Sequence, residues 1–171
     1  FLATYRPTGG VIRVVIVEED CDWYPFFSTD PNATAVEIIE AFADRATIEA
    51  TDLMPFRIGI AARVATVMTG HLRVPALDPS GTPATFSAPI LNYLRDALGF
   101  RGLIVTDALM MGAAVKDAAG DPSVRALAAG CDVLCYPADP QAAFEAIADA
   151  MKQGSLSEER VDEAMRRYGE A

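Results

Sequence analysis

The chain has 171 residues, enough for one domain with a substantial core, and its 51% hydrophobic content is typical of a globular protein. A net charge of −10 with scattered basic residues argues against nucleic acid and anionic membranes as partners, because both bind positively charged surfaces. No apolar run could cross a bilayer, and three cysteines with one histidine favour unpaired thiols in a reducing, cytoplasmic compartment over a metal site.

The first third of the chain predicts one strand and two helices. Residues 11–17 form a β-rich apolar run, and a polar and aromatic segment follows at residues 18–32. Apolar residues spaced for one helical face predict a helix over residues 33–42. A second helix is predicted over residues 47–60, where Pro55 must kink or restart it.

A clearer pattern of strands and helices begins at residue 64. Residues 64–69 form a compact buried-type strand that ends at His71, and a loop rich in turn-forming residues follows. Ser87 can cap the next helix, with Pro89 in its first turn and Gly99 at its end. The remaining predicted elements are a strand at 102–106 closed by Asp107, a helix at 123–129, a strand at 133–136, and helices at 141–153 and 157–168.

This alternation predicts an α/β fold with a parallel sheet. His71, Asp107 and, more loosely, Asp139 follow the carboxyl ends of strands, the edge where parallel α/β folds collect their chemistry. Asp107 stands directly after the apolar strand at residues 102–106, so its carboxylate needs partners or a function. Position alone leaves two interpretations open, a turn or helix cap and a catalytic carboxylate.

Several long segments in the same order resemble glycoside hydrolase family 3, especially its bacterial β-N-acetylhexosaminidases and β-glucosidases. Residues 98–113, LGFRGLIVTDALMMGA, resemble the nucleophile segment of that family. The supporting segments are VMTGH at 67–71, VPALDP at 74–79, PATFS at 83–87, AGCDVL at 129–134 and LSEERV at 156–161.

The resemblance implies a (β/α)8 TIM-barrel type fold, of which residues 46–171 supply roughly the last three β/α units and residues 1–45 form an unmatched segment. It implies hydrolysis of terminal β-glycosidic bonds, in a β-N-acetylhexosaminide or a β-glucoside, with Asp107 as nucleophile and retention of configuration. His71, Met68 and Met110 are the expected substrate-binding residues. The implied partner is a carbohydrate substrate, and no metal or organic cofactor is expected.

One part of the family pattern is missing. The hexosaminidases carry their general acid after a Lys-His-Phe-Pro-Gly-His-Gly segment, which this sequence lacks, and residues 1–50 do not resemble the first five barrel strands. General acid assistance contributes about 10²–10⁴-fold to a rate. We therefore expect this chain alone to be weakly active or inactive.

Two other interpretations stay open. A receiver-like phosphoacceptor domain would bind Mg²⁺ through Glu18, Glu19 and Asp20 and be phosphorylated on Asp107, although no Lys-Pro follows a later strand. A non-catalytic remnant of a glycosidase would instead pack its exposed strand edges against another chain. The sequence leaves the oligomeric state open.

Overall fold

The computed structural model describes residues 2–5, 12–19, 22–28, 45–111 and 120–170, and the chain divides into two compact units, Phe1–Leu53 and Met54–Ala171. The first unit contains β1 (Leu2–Tyr5), β2 (Ile12–Glu19), β3 (Asp22–Ser28), α1 (Arg45–Thr47) and a π-helical turn (Ile48–Asp52). The second contains α2 (Met54–Ala61), β4 (Thr66–Met68), a 3₁₀ turn (Ala84–Phe86), α3 (Ala88–Asn92), a π-helical turn (Tyr93–Ala97), β5 (Leu103–Val105), α4 (Pro122–Ala129), α5 (Pro140–Lys152) and α6 (Glu158–Glu170).

In the first unit, β2 confirms the strand predicted at residues 11–17. It pairs with both neighbours in antiparallel fashion, in the order β1-β2-β3, so the parallel sheet expected from the sequence is wrong here. The sequence predicted no strand in the polar and aromatic segment at residues 18–32, which contains β3 and Pro25. In the described sheet β3 is an edge strand, where proline is tolerated. The helix predicted at residues 33–42 lies outside the described residues.

The helical stretch predicted at residues 47–60 is present and is interrupted. The π-helical turn closes with a 2.9 Å hydrogen bond from the Leu53 N–H to the Ile48 carbonyl, and α2 then restarts at Met54. Pro55 occupies the first turn of α2, where its missing N–H costs no helical hydrogen bond. The restart expected from Pro55 is confirmed.

In the second unit the strands are parallel. β4 pairs with β5 in the register Thr66↔Leu103 to Met68↔Val105, which confirms the strands predicted at residues 64–69 and 102–106 in shortened form. The strand predicted at residues 133–136 is reduced to one parallel bridge between Val105 and Val133. The ladder stops there because the Cys135 N–H donates to the side-chain hydroxyl of Thr106, at 2.8 Å, rather than to a backbone carbonyl.

Local caps set the limits of the helices, and the sequence predicted those of the helical stretch that begins with α3. The Ser87 Oγ accepts a hydrogen bond from the Ile90 N–H at 3.2 Å, Pro89 follows in the first turn, and Gly99 ends the helical stretch with φ 73°. Asp121 and Asp139 cap α4 and α5 through their carboxylates, and Ser157 accepts from the Arg160 N–H at the start of α6. These last three helices lie within one or two residues of their predicted limits.

The core of the second unit is apolar and surrounds β5. Its buried members are Phe86, Leu91, Leu94, Phe100, Ile104, Leu109, Ala126, Ala129 and Cys131. Burying each large aliphatic or aromatic side chain contributes about 1.5–3 kcal/mol. The helices α3 and α4 are therefore held against the sheet by packing rather than by their own propensity, since both are too short to form alone.

Gly102 brings two backbone segments too close together for any side chain. A Cβ atom at this position would lie 2.2 Å from the Ala65 carbonyl oxygen and 2.8 Å from the Phe100 ring. That carbonyl is already engaged, because the Leu103 N–H donates to it at 2.8 Å where β5 begins. The close approach sets the start of the parallel pairing.

We expect Gly102→Ala to lower the free energy of unfolding by about 1–3 kcal/mol, because the methyl group must push backbone apart. Gly169→Ala is the matched control, since nothing lies within 4 Å of its added Cβ in α6, and helix propensity predicts a gain of up to about 1 kcal/mol. Guanidinium denaturation followed by circular dichroism measures both. Equal stability of the two variants would contradict this account.

Asp132 is a charged residue whose side chain is fully buried. One oxygen accepts hydrogen bonds from Arg95, at 2.5 Å, and from the Ile104 N–H, at 2.9 Å. The other accepts from Arg160, at 2.9 Å, and from Arg167, at 3.0 Å. One carboxylate thus joins β5, the π-helical turn after α3, and α6.

The arginines around Asp132 have further acceptors, so their other N–H groups are also hydrogen-bonded. Arg95 donates to the carbonyls of Phe100 and Gly102, and Arg160 donates to those of Leu127 and Cys131. Burial lowers the pKa of Arg95, and the neighbouring Asp132 carboxylate opposes that shift. The cluster is a fully hydrogen-bonded network, the form in which buried charge is tolerated.

Asp132→Asn keeps the shape of the side chain and removes its charge. We expect it to lower the free energy of unfolding by about 3–5 kcal/mol, because several half-buried guanidinium groups lose their counter-charge. Asp149→Asn serves as control, since its pair with Lys152 is exposed and worth less than about 1 kcal/mol. Urea titration of both variants checks this, and a wild-type midpoint for Asp132→Asn would refute it.

Candidate active site

The carboxyl edge of the parallel strands brings the predicted site residues into one neighbourhood. Asp107 follows β5, and its N–H donates to the carbonyl of Thr69, which follows β4, at 3.1 Å. The chain after Val133 continues along the same edge, since Leu109 donates to the Cys135 carbonyl at 2.9 Å. The edge is therefore formed by the ends of three parallel segments, as the sequence predicted.

Asp107 itself is half-buried in a tight turn. Its Oδ1 accepts a hydrogen bond from the Ala108 N–H at 2.7 Å, so the carboxylate caps its own turn with one oxygen. Among the described residues, no donor lies within hydrogen-bond distance of Oδ2. The turn-cap interpretation accounts for one oxygen and leaves the catalytic interpretation open.

His71 lies buried behind this turn with both ring nitrogens engaged. Its Nε2 is 3.1 Å from the Ala108 carbonyl oxygen and its Nδ1 is 2.9 Å from the hydroxyl of Thr85. The ring stacks on Phe86 with 6.0 Å between centroids and 12° between planes. The sequence predicted that His71 lies beside Asp107. It did not predict that the ring nitrogens would be hydrogen-bonded to Thr85 and Ala108.

Met68 and Met110 are both well exposed, at 60% and 57% of their surface. Met68 is the last residue of β4 and Met110 lies three positions after Asp107, so both belong to the same edge. Leu109, which directly precedes Met110, is instead buried in the core. The exposed methionines offer flexible apolar surface next to the carboxylate.

Tyr136 is a residue of this edge that the sequence analysis did not single out. Its φ of 43° is rare for a residue other than glycine, and its side chain is 75% exposed. Its carbonyl accepts a hydrogen bond from the Met110 N–H at 3.0 Å, which holds Tyr136 beside the turn that carries Asp107. The only sequence signal is the Tyr-Pro pair at the end of a predicted strand.

The loop after His71 is tied down by Asp78. Its carboxylate accepts hydrogen bonds from the Ser87 hydroxyl, at 2.5 Å, and from the Ser80 N–H, at 3.0 Å. The hydrogen bond from Ser87, followed by those from Ser80, lowers the pKa of Asp78. Asp78 thereby links the loop to the residue that caps α3.

Two clefts on the described surface lie elsewhere. One of about 510 Å³ runs along α6, and one of about 410 Å³ lies between α3, α4 and α6 and is lined by Arg95, Arg101, Arg160 and Arg167. Neither includes Asp107. Among the residues that the structure describes, no three His, Cys, Asp or Glu side chains are grouped to hold a metal ion, and no helix is long and apolar enough to span a membrane.

The parallel strands of the second unit, with their helices and a carboxylate at the carboxyl edge, define an α/β enzyme fold of the TIM-barrel type. The family model for the glycosyl hydrolase family 3 N terminal domain matches residues 32–170. The chain belongs to glycosyl hydrolase family 3. The antiparallel pairing of β2 also removes the basis of the receiver alternative, whose acidic residues must lie at the edge of a parallel sheet.

Relatives and solved structures agree with this family. A β-N-acetylglucosaminidase/β-glucosidase of Cellulomonas fimi is 33% identical over 66% of this chain and 22% of its own length. A β-hexosaminidase of Stenotrophomonas maltophilia (strain K279a) is 44% identical over 53% of this chain and 28% of its own length.

Among solved structures, a family 3 β-N-acetylglucosaminidase from Paenibacillus sp. str. FPU-7 has a TM-score of 0.68 at 38% identity, covering 72% of this chain and 24% of that one. The β-N-acetylglucosaminidase of Thermotoga maritima has a TM-score of 0.67 at 28% identity, covering 75% and 29%. The chain spans about a quarter of the length of these proteins.

Cys131 and Cys135, in the segment that borders the site, differ in burial. Cys131 is buried in the core, where its thiol donates to the Thr85 carbonyl at 3.5 Å, and burial raises its pKa to about 12. Cys135 is partly exposed. The thiolate is the reactive form, and at pH 9 a thiol with that pKa is ionised in only about one molecule in a thousand.

We therefore expect iodoacetamide at pH 8–9 to modify Cys135 and leave Cys131 intact in the folded chain, as read by peptide mass spectrometry. In guanidinium both should react. The unfolded state releases the Cys131 proton first as the pH rises above 9, so stability should also fall between about pH 9 and 12. Equally fast modification of the two thiols without denaturant would contradict the placement of Cys131.

Proposed function

We propose that the chain carries the nucleophile portion of a retaining β-glycosidase, with Asp107 as the nucleophile. The observation that carries the proposal is the placement of Asp107. It stands at the carboxyl end of a buried parallel strand, and one oxygen is held by its own turn. The site lies within the residues that match the family model.

In this proposal the second carboxylate oxygen of Asp107 attacks the anomeric carbon of the sugar. As the new C–O bond forms, the bond from that carbon to the leaving oxygen breaks, and the leaving oxygen takes up a proton. Water then adds to the same carbon from the opposite side and releases the carboxylate, so the configuration is retained. An ionised carboxylate also stabilises the positive charge that develops on the sugar ring.

We further propose that residues 46–171 contribute roughly the last three β/α units of a (β/α)8 barrel, with residues 1–45 as a separate segment. The parallel order β4, β5 and the Val133 segment supports this assignment. The two exposed residues of β4, Thr66 and Met68, are consistent with a strand whose other side is to be covered. We propose a cytoplasmic location and leave the oligomeric state open.

The proposed substrate is a carbohydrate with a terminal β-linked N-acetylhexosamine or glucose. The names of the Cellulomonas fimi and Stenotrophomonas maltophilia relatives include both activities, and they motivate this choice. We propose that Met68 and Met110 contact the sugar, because both are exposed at the edge that bears Asp107. His71 is proposed to form the wall behind them, with its nitrogens engaged by protein rather than by sugar.

We also propose that the chain alone turns over slowly, because a retaining glycosidase needs a group that protonates the leaving oxygen. The single histidine is buried behind the nucleophile turn, with both nitrogens occupied, and is poorly placed for that role. Losing general acid assistance costs about 10²–10⁴-fold in rate. The loss of rate is largest for substrates with poor leaving groups. It is small for substrates whose leaving group departs as a stable anion.

A second candidate, a non-catalytic partner of another chain, is favoured by the exposure of Thr66 and Met68 on β4. Open strand edges pair readily with other strands. Size-exclusion chromatography tests this candidate, since a monomer at micromolar concentration would count against it.

The nucleophile assignment is tested with mechanism-based sugars whose leaving groups need no protonation. We expect 2,4-dinitrophenyl 2-deoxy-2-fluoro-β-glucoside, or a 5-fluoro-N-acetylglucosaminyl fluoride, to attach one sugar to Asp107, as located by peptide mass spectrometry. Asp107→Asn should not be labelled. Asp139→Asn should be labelled at the wild-type rate, because asparagine caps α5 as well as aspartate does.

Labelling of a residue other than Asp107 would overturn the assignment. Failure of both sugars to label the folded chain would overturn the proposed function. Hydrolysis of nitrophenyl β-N-acetylglucosaminide at the rate of an ordinary glycosidase would refute the proposed impairment only.

A further inference from the structure

The hydrogen bonds around His71 settle which ring nitrogen carries the proton. The Nε2 atom faces the Ala108 carbonyl at 3.1 Å, and a carbonyl oxygen can only accept. The ring must therefore be protonated on Nε2. On the other side of the ring, Nδ1 lies 2.9 Å from the Thr85 hydroxyl.

Thr85 is built to hold that arrangement. It is completely buried, and its hydroxyl also lies 3.0 Å from the hydroxyl of Thr69 and 3.1 Å from the carbonyl of Gly70. Thr85 donates its one hydroxyl proton to the Gly70 carbonyl, and its oxygen also lies within hydrogen-bond distance of Thr69 and His71, so the buried hydroxyls of this cluster all have partners. Fully satisfied networks of this kind fix side-chain geometry.

The network acts on the backbone that carries the nucleophile. Asp107 and Ala108 are joined by one peptide, whose flanking groups are held at both ends. The Asp107 N–H is held by the Thr69 carbonyl, and the Ala108 carbonyl is held by His71. Thr69 and His71 are in turn connected through Thr85.

We propose that His71 and Thr85 are positioning residues for the nucleophile, acting through a fixed Nε2–H hydrogen bond to the Ala108 carbonyl. The inference rests on the proposed function of Asp107. It assigns a task to Thr85 and gives His71 a task other than binding the sugar. A displacement of about 1 Å in a reacting group can cost about 10²-fold in rate, so the hydrogen bond matters most in the chemical step.

The single histidine makes the first test specific. In a ¹⁵N-labelled sample, a long-range ¹H–¹⁵N spectrum contains one imidazole, and we expect its Nε2 to carry a proton. In Thr85→Val the Asp107 and Ala108 amide signals should shift, whereas Thr82→Val, which alters a hydroxyl that pairs with Ser80, should leave them in place. An Nε2 without a proton, or unmoved amide signals, would overturn the inference.

The second test measures labelling of Asp107 by the fluorosugar that labels the wild type. We expect His71→Leu and Thr85→Val to lower the maximal labelling rate about 10–100-fold with a concentration dependence near that of the wild type. His71→Gln should recover much of the rate, because its amide N–H₂ can still donate to the Ala108 carbonyl. Thermal melts exclude variants that fail to fold.

These outcomes separate the two proposals. A folded His71→Leu variant that labels at the wild-type rate would overturn the positioning role and leave Asp107 as nucleophile. A loss confined to sugar affinity would also overturn it, because it would make His71 a sugar-binding residue. An unlabelled wild type would remove the proposed function, while the spectra would still decide whether His71 and Thr85 hold the Asp107–Ala108 peptide.

Discussion

The second unit depends on one buried carboxylate. Asp132 is removed from water at the point where the chain enters the third parallel segment, and its charge is tolerable only because three guanidinium groups and one backbone N–H converge on it. Those donors come from β5, the turn after α3, and α6. The requirement to neutralise Asp132 therefore fixes how helices far apart in sequence meet the sheet.

The two ends of the sheet each carry an aspartate, and the two carboxylates differ in how fully they are hydrogen-bonded. Asp132, before its strand segment, has every oxygen engaged by cationic or N–H donors, which makes it a structural charge. Asp107, after its strand, has one oxygen engaged by its own turn. The fully paired carboxylate thus lies at the amino end of the strands, and the carboxylate with one engaged oxygen lies at the carboxyl end, where barrel-type α/β folds place their active sites.

What the sequence could predict was local. The Ser87 cap and the position of Asp107 at the end of β5 follow from residues a few positions apart, and both agree with the structure. The antiparallel strand around Pro25 was missed because proline is a poor strand residue except at an edge, and edges are set by pairing. The partners of Asp132 and His71 lie 14–37 residues away in sequence, so no periodic pattern records them.

The sequence distance between Asp132 and its arginines has a consequence during synthesis. Arg160 and Arg167 follow it by 28 and 35 residues, which at 5–20 residues per second is a delay of roughly two to seven seconds. Until then the Asp132 carboxylate lacks two of its guanidinium partners and stays hydrated, so burial of this carboxylate beside β5 is unfavourable. The network around Asp132 is complete only after α6 has left the ribosome, so a nascent chain stalled earlier should present an incompletely packed sheet that chaperones can bind.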